Sequence, residues 1–364
     1  MKTSIRTMAL SGLVLGIYGL SAQPASAMEV IGKKLEIYGK ANISLDFSDN
    51  DRLSPNDQSD MSLSSNSSRL GFKGQVPLAG KSIEGVYQVE QEIAIDRGNG
   101  ASLASRNTFA GLKVANAGKF IVGYFDTPFK SVAGKWSLMG DSVADRRKIL
   151  GAGALNGNKM NNRAHNAIMY MNKFGGLGVK LLYSTDGKDS NSGGIDDNKN
   201  KSMYSGSLSY KISHLHLAGA YEKWKDLGSS YGETTGYRLA ARWKASAYSV
   251  GAIYEDISTD GTANDLDRSA WGLNGSFRVG KVDLRAEYLV ADDYEGVSDS
   301  GATAASIGAF GKFSKPVGWY VVYTQTANDD NAKYQGVDGG HGDEVKTDLG
   351  RTPTSFSAGI IVKF

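Results

Sequence analysis

Residues 35–47 read LEIYGKANISLDF, and their spacing decides the class of fold. Every second residue from Leu35 to Phe47 is apolar or small, whereas most residues between them are polar or charged. A period of two is the pattern of a β-strand with one apolar and one polar face. The same alternation recurs along the chain, for example over residues 268–279 and 281–290. The sequence therefore predicts an all-β protein.

The composition agrees with an all-β protein and excludes several classes of function. Glycine makes up 46 of the 364 residues, well above the usual proportion of roughly 7%, and helix interiors tolerate glycine poorly. The absence of cysteine excludes disulfide frameworks, thiolate metal sites and cysteine nucleophiles. A net charge of +3 is too small to indicate a nucleic-acid partner.

Candidate residues for cofactor or metal binding are few. No glycine-rich phosphate loop precedes a helix, because the alternation leaves hardly any helical stretch. His214 and His216 share one strand face, and we interpret them as polar residues that face water rather than as metal ligands. We therefore expect no catalytic residues, no cofactor and no metal.

The N-terminal segment has the pattern of a secretory signal peptide. Lys2 and Arg6 supply positive charge, a short apolar stretch follows, and Ala25-Ser26-Ala27 is a small-residue cleavage site. The apolar stretch is too short to span a bilayer as a helix. We expect residues 1–27 to be removed and residues 28–364 to form one exported domain.

Sixteen strands are expected, most of them about 10–12 residues long. Strands of soluble β-sandwiches usually have about 5–6 residues, whereas a tilted strand needs about 9–11 residues to cross a bilayer. The apolar faces mix Gly and Ala with aromatic residues, as expected for a lipid-facing band. Short turns alternate with long polar connectors, which lie near 48–65, 96–104, 126–163, 186–201, 225–234, 258–267, 291–302 and 328–353. This pattern predicts a transmembrane antiparallel β-barrel whose polar face lines the interior.

Several segments resemble the general porins of Gram-negative proteobacteria. They are RNTFAGLK at 106–113, GYFDTPFK at 123–130, NAIMY at 166–170 before the FGG turn at 174–176, and the C-terminal Phe364. Together with the strand count, the resemblance covers essentially the whole chain after the signal peptide. It implies a homotrimer of sixteen-stranded barrels in the outer membrane of a Gram-negative bacterium, in contact with membrane lipid and lipopolysaccharide.

We assign specific roles to the third long connector, residues 126–163, and to the C-terminal Phe364. The resemblance implies that residues 126–163, independently the longest connector, fold into the lumen as a constriction. Phe364 ends an alternating strand, and we interpret it as the signal that the outer-membrane barrel assembly machinery recognises. Tyr124 and Met169 stand where many relatives have a basic residue, so the resemblance leaves open whether this channel prefers anions.

Charged residues on the polar strand faces and in residues 126–163 predict the narrowest point of the lumen. The bases share the inward parity of separate strands, and the acids lie in the only connector that is judged long enough to reach inward. An acidic loop opposite a basic wall is electrostatically favourable. The predicted basic wall is Arg69, Arg238, Arg242, Arg278 and Arg285, and the predicted loop residues are Asp126, Asp141, Asp145, Arg146, Arg147 and Arg163. The alternative is that these arginines are scattered through the lumen at different heights.

The expected function is passive diffusion of small hydrophilic solutes and ions, without enzymatic activity. A barrel of sixteen strands is too wide for its own side chains to fill, so it leaves an aqueous channel. The inward-facing strand charges are close to balance, which predicts only weak ion selectivity. Two alternatives remain, namely a channel specific for one class of substrate and a barrel that serves mainly as a surface adhesin or structural anchor.

Overall fold

A computed structural model describes residues 28–53, 55–57, 59–79, 82–97, 103–151, 160–187, 201–225, 232–260 and 267–364. The predicted signal peptide, residues 1–27, lies outside the described residues.

The described residues form eighteen β-strands, one α-helix and one 3₁₀ turn. The strands are β1 (Met28–Glu29), β2 (Glu36–Asp49), β3 (Ser59–Ser65), β4 (Arg69–Ala79), β5 (Ile83–Glu92), β6 (Thr108–Val114), β7 (Gly118–Asp126), β8 (Arg163–Phe174), β9 (Leu177–Ser184), β10 (Met203–Ile212), β11 (Leu215–Trp224), β12 (Glu233–Lys244), β13 (Tyr248–Asp260), β14 (Arg268–Val279), β15 (Val282–Ala291), β16 (Ala302–Lys312), β17 (Val317–Asn328) and β18 (Thr354–Lys363). Helix α1 (Pro128–Trp136) and the 3₁₀ turn (Arg146–Lys148) both lie between β7 and β8. In the described part of the chain, no helix is both long and apolar enough to cross a lipid bilayer.

The strands pair in chain order and close into a ring. Each strand from β4 to β17 pairs antiparallel with the next one. The last strand, β18, pairs with β2, so that Ile360 lies opposite Ile43. The prediction of an all-β, antiparallel barrel is therefore confirmed.

One strand of the wall is interrupted. β3 pairs with residues 43–49 of β2, and β4 pairs with residues 36–40 of the same strand. Between them, Asn66 N donates to Asn42 O at 2.7 Å and Asn42 N donates to Ser68 Oγ at 2.9 Å, so local hydrogen bonds replace the regular ladder. The ring thus has the predicted sixteen wall strands, with the two-residue β1 in addition. The sequence places β3 in a connector, and that assignment is wrong because these residues extend the wall.

The two faces of the wall differ as the alternation predicts. Outward side chains such as Leu239 and Ile307 are 63% and 62% exposed in the isolated chain. Inward polar side chains, including Arg238, Glu255 and Thr324, are fully buried because segments inside the barrel cover them. A continuous exposed apolar surface of this kind marks contact with lipid.

Candidate functional site inside the barrel

Loop 3, residues 127–162, begins with helix α1. Thr127 caps the helix, since its Oγ1 accepts a hydrogen bond from Lys130 N at 3.2 Å, and Pro128 occupies the first turn, where a missing N–H costs nothing. The helix buries an apolar face that includes Phe129 and Trp136. Local sequence therefore starts the helix where the β7 strand ends.

Helix α1 packs against the inward faces of β9 to β13. The Arg238 guanidinium lies 3.7 Å from the centre of the Phe129 ring, and Arg238 Nη1 donates to Phe129 O at 2.9 Å. Asn274 Nδ2 donates to Trp136 O at 3.0 Å. Because Arg238 and Asn274 have the inward parity, these contacts hold the helix against the barrel interior.

The second half of loop 3 contacts the other side of the ring. Arg285 Nη1 donates to Leu138 O, and Asn42 Nδ2 donates to Asp141 O at 2.8 Å. The Lys148 ammonium donates to Thr324 Oγ1 on β17. Loop 3 therefore runs from the β12 side of the wall to β2 and β17.

Loop 8, residues 329–353, also reaches inward. His341 Nε2 lies 2.9 Å from Asp46 Oδ2 on β2, and Gly342 N donates to Asn66 Oδ1 at 2.9 Å. Val337 packs in one apolar cluster with Val143 of loop 3. The prediction that residues 126–163 are the only connector long enough to reach inward is therefore wrong. A chain extends about 3.3 Å per residue, so loop 8 is also long enough to reach the interior and return.

A group of charged side chains lies where loop 3 meets β2, β4 and β5. Lys40 Nζ is 2.7 Å from Asp141 Oδ2, and Arg147 Nη2 is 3.3 Å from Asp141 Oδ1. On the wall, the Glu90 carboxylate is 3.7 Å from Arg69 Nε and 2.8 Å from Arg106 Nε. We refer to these six residues, Lys40, Arg69, Glu90, Arg106, Asp141 and Arg147, as the charged rim.

Asp141 is the loop carboxylate at the rim. The side chains of Asp141 and Arg69 are each 27% exposed. Burial alone would raise the pKa of Asp141, but Lys40 and Arg147 outweigh that effect and hold the pKa below its ordinary value. Asp141 is therefore an anion at neutral pH.

Asp145 and its neighbours stabilise the fold of loop 3. The Asp145 side chain is fully buried and accepts from Arg147 N at 3.0 Å, which caps the 3₁₀ turn, while Arg147 Nη2 lies 2.8 Å from its other oxygen. Burial would raise the pKa of Asp145, yet the Arg147 guanidinium holds that pKa well below its usual range. Burial lowers the pKa of Arg146, which is only 5% exposed. Asp145 and Arg146 therefore hold loop 3 together rather than face open water.

Asp126 and Arg163 mark the two ends of loop 3. Asp126 Oδ1 is 2.7 Å from Lys130 Nζ and 3.3 Å from Arg163 Nε. Asn107 adds two hydrogen bonds, from its Nδ2 to Asp126 Oδ2 at 3.1 Å and from Asp126 N to its Oδ1 at 2.9 Å. The pair therefore closes the base of the loop.

The five arginines of the predicted basic wall lie in different parts of the barrel. Of these, Arg69 lies at the charged rim. Arg238 is fully buried and pairs with Glu255, from which its Nε is 3.1 Å away. Arg242 Nη1 donates to Lys135 O at 3.0 Å, and Arg285 contacts the Leu138 carbonyl, so both lie under loop 3.

Arg278 lies near the short turn after β14. It is 58% exposed at its side chain and pairs with Asp283 at 2.7 Å. Within the described residues, no carboxylate of loop 3 lies within 4.0 Å of the side-chain nitrogens of Arg238, Arg242, Arg278 or Arg285. These arginines lie at different heights, and they anchor loop 3 or pair on the wall instead of opposing the loop carboxylates.

Three residues of the charged rim are not among the predicted site residues. Lys40 has an inward-facing position in the alternating residues 35–47, and Arg106 is the first residue of the RNTFAGLK segment. Glu90 has the inward parity of β5 and joins Arg69 to Arg106. The inward parity of Lys40 and Glu90 is readable from the sequence, but their depth along the strand is not, and Arg106 lies before the start of β6. Among the described residues, no group of three or more His, Asp or Glu residues is arranged to hold a metal ion.

Comparisons with known proteins agree with this architecture. The family model for Gram-negative porins matches residues 9–331. An anion-selective porin from Comamonas acidovorans is 20% identical, with a TM-score of 0.74, and the alignment covers 91% of this chain and 99% of that one. The trimeric form of OmpT from Vibrio cholerae is 18% identical, with a TM-score of 0.68 and coverage of 91% and 99%. OmpF from Salmonella typhi, in complex with daunomycin, is 17% identical, with a TM-score of 0.67 and coverage of 93% and 100%. A search of curated proteins gives no match.

Proposed function

The chain belongs to the Gram-negative porin family and is an outer-membrane porin channel, and we propose that the charged rim controls passive diffusion through it. The observation that carries the proposal is the contact of 2.7 Å between Lys40 on the wall and Asp141 on loop 3, with Arg69 and Arg106 beside it. A loop that meets the wall at a cluster of charges narrows the lumen at that level. Fixed charges at a narrow point act strongly on passing ions.

The channel is non-enzymatic in this proposal. The letters GSSYG at residues 228–232 match the G-x-S-x-G pattern of serine hydrolases. That motif needs a turn from a strand to a helix; residues 228–231 lie outside the described residues, and the described elements on either side of them are the strands β11 and β12. Solutes therefore cross by diffusion alone, and small hydrophilic molecules and ions are the expected cargo.

Ion selectivity at the rim is weak in this proposal. Four cations, Lys40, Arg69, Arg106 and Arg147, face the carboxylates Asp141 and Glu90. Glu92 also pairs with Arg106 at 3.1 Å, and Asp145 pairs with Arg147. The local charges thus nearly cancel, so cations and anions pass at similar rates.

Assembly and location follow from the family. We propose that three copies associate in the outer membrane, surrounded by lipid and lipopolysaccharide, after removal of residues 1–27. Phe364 supports recognition by the barrel assembly machinery, because the residue is 49% exposed and its ring lies beside Gly39 at the seam between β18 and β2. The trimeric form of the Vibrio cholerae relative supports the stoichiometry.

Liposome swelling tests the proposed diffusion. Vesicles that contain the purified protein are placed in isotonic solutions of uncharged sugars of increasing size. We expect swelling rates that fall steeply with sugar size and, in mixtures with an impermeant solute at constant osmolarity, rise in proportion to the sugar concentration. Saturation by one sugar would favour the substrate-specific alternative, and no swelling with any sugar would favour an adhesin or a structural anchor.

A further inference from the structure

A cavity of about 650 Å³ lies in the lumen on the side of the short turns, under helix α1. Inward residues of β4 to β11 form its wall, and Val132 and Lys135 of α1 form part of its lining. We refer to it as the lysine cavity, because six lysines line it and Glu36 is the one carboxylate residue among its described lining. The lysines are Lys73, Lys113, Lys119, Lys135, Lys173 and Lys180.

Within the described part of the chain, most of these lysines have no carboxylate in ion-pair contact. Lys73 lies 3.2 Å from Glu36, and Lys113 lies 2.7 Å from Glu84. Over the residues that the structure describes, the other four have no carboxylate oxygen within 4.0 Å. Several like charges around one cavity repel one another, and an anion between them would relieve that repulsion.

The contacts of two of these lysines are neutral. Lys180 Nζ donates a long hydrogen bond of 3.4 Å to Ser131 Oγ. Lys119 Nζ lies 5.1 Å from the centre of the Phe109 ring, a cation–π contact that leaves the ammonium charge uncompensated. Both ammonium groups are therefore available for an incoming anion.

Apolar side chains line the same cavity. Val86 and Val132 are buried there, with 7% and 5% exposure, and Phe109 and Met171 are half-buried. An inorganic anion would use the lysines and leave this apolar surface in contact with water. A molecule with an apolar body and an acidic group satisfies both parts of the lining.

We propose that the lysine cavity binds organic anions, with a carboxylate or another oxyanion on an apolar body of one or two rings. The cavity volume falls within the range of about 300–1,000 Å³ that is usual for small-molecule sites. Its position below the charged rim makes it a binding site on the periplasmic half of the diffusion path. The inference rests on the proposed function, because the ligand reaches the cavity through the open channel.

Block of the ionic current tests the site. The full-length mature protein is recorded in planar bilayers while 2-naphthoate is added to both sides. We expect a saturable reduction of the open-channel current. Acetate lacks the apolar body and 2-naphthalenemethanol lacks the charge, so neither should block at the same concentration.

Charge removal links the block to named residues. Lys119→Gln together with Lys180→Gln should raise the half-blocking concentration at least about tenfold, because two charge-assisted contacts are lost. Lys119→Arg with Lys180→Arg keeps both charges and should retain the block. Lys281→Gln with Lys315→Gln removes the same charge from short turns between β14 and β17 and should also retain it.

The unblocked current in KCl separates this inference from the proposed function. A protein without any channel current would contradict the proposed function itself. An unchanged half-blocking concentration in the Gln variant, measured in channels that conduct normally, would overturn the site. Equal block by acetate and 2-naphthoate would overturn its preference for organic anions.

Discussion

Asp141 is the residue that connects loop 3 to the β2 wall. Its carboxylate contacts Lys40 and Arg147, and its backbone carbonyl accepts from Asn42 Nδ2. Since the four rim cations are nearly balanced by carboxylates, the loss of one negative charge leaves the rim net positive. We therefore expect a single substitution at Asp141 to change ion selectivity.

Asp141→Asn should shift the reversal potential in a KCl gradient toward that of chloride. The amide keeps the size of the side chain but no longer offsets Lys40 and Arg147. Asp57→Asn in the first long connector, which is exposed, is the matched control and should leave the reversal potential unchanged. Equal reversal potentials for Asp141→Asn and the unmodified protein would place the charged rim away from the narrowest point.

Arg238 anchors helix α1 to the wall. It is fully buried between Glu255 and the Phe129 ring. Arg238→Met should destabilise the folded barrel by about 3 kcal/mol, at the low end of the usual cost of breaking a buried ion pair, because Arg268 still lies 3.2 Å from Glu255. Urea unfolding from lipid vesicles measures the change.

Arg278→Met is the control for the Arg238 experiment. Arg278 is 58% exposed, and an exposed ion pair contributes little to stability. Its loss should change the free energy of unfolding far less than the loss of Arg238 does, because solvent screens an exposed pair. Similar losses in the two variants would show that the Arg238 contact does not stabilise the fold.

Lys148 makes the stability of the barrel depend on pH. Burial lowers its pKa to about 7 from an ordinary 10.5. The carboxylates of Asp145 and Glu287 face it, and Thr324 Oγ1 and Gly336 O accept from it. Between these pH values the native state has released a proton that the unfolded chain still holds, so stability rises with pH.

The free energy of unfolding should increase between pH 7.5 and pH 9.5, by at most about 1.4 kcal/mol per pH unit from this group. Below pH 7, Lys148 is protonated in both the folded and the unfolded state. Its contribution to the free energy of unfolding then no longer changes with pH. Lys148→Met should flatten the rise, as measured by urea unfolding at several pH values. An equal slope with and without the lysine would contradict the assignment.

At the scale of elements, loop 8 supports loop 3. A Cβ at Gly340 would collide with the side chains of Arg147 and Asp141. Gly340→Val should therefore displace these rim residues and change the single-channel conductance. Gly206→Val on the outward face of β10 meets only ordinary contacts and is the control. If Gly340→Val conducts like the unmodified channel, loop 8 does not support the rim.

The wall was predictable from the sequence because side-chain parity is a local property. The alternation in residues 35–47 assigns Lys40 and Asp46 to the inward face, and the structure agrees. The depth of an arginine along its strand depends on register, which is set by pairing across the whole ring. For this reason the inward orientation of Arg238 is predicted correctly, whereas its pairing with Glu255 on the next strand is not predicted.

The paths of the loops were less predictable. Loop 3 has local signals, such as the Thr127–Pro128 start of α1. Loop 8 is held by His341 and Gly342 against Asp46 and Asn66, which are far apart in sequence. Contacts between residues so far apart leave no periodic pattern in the sequence, so they cannot be predicted from it.

At the scale of the whole molecule, the outward apolar faces require a partner. Side chains such as Leu239 and Ile307 are exposed on the isolated chain, and lipid or a neighbouring copy covers them in the proposed trimer. Unboiled protein should migrate in detergent gels as a trimer. Boiling should yield a band at or below the 38.8 kDa mass of the full chain. A monomer at every detergent concentration would contradict the trimer but leave the barrel intact.

We propose that the closed barrel, with its inward loops, leaves an open, weakly selective aqueous path. Single-channel recording in planar bilayers tests it most directly. We predict stepwise openings whose conductance rises in proportion to KCl concentration, with a reversal potential close to zero in a KCl gradient. Absence of openings would contradict the open channel, and a reversal potential at the limit for a single ion would contradict the balanced rim.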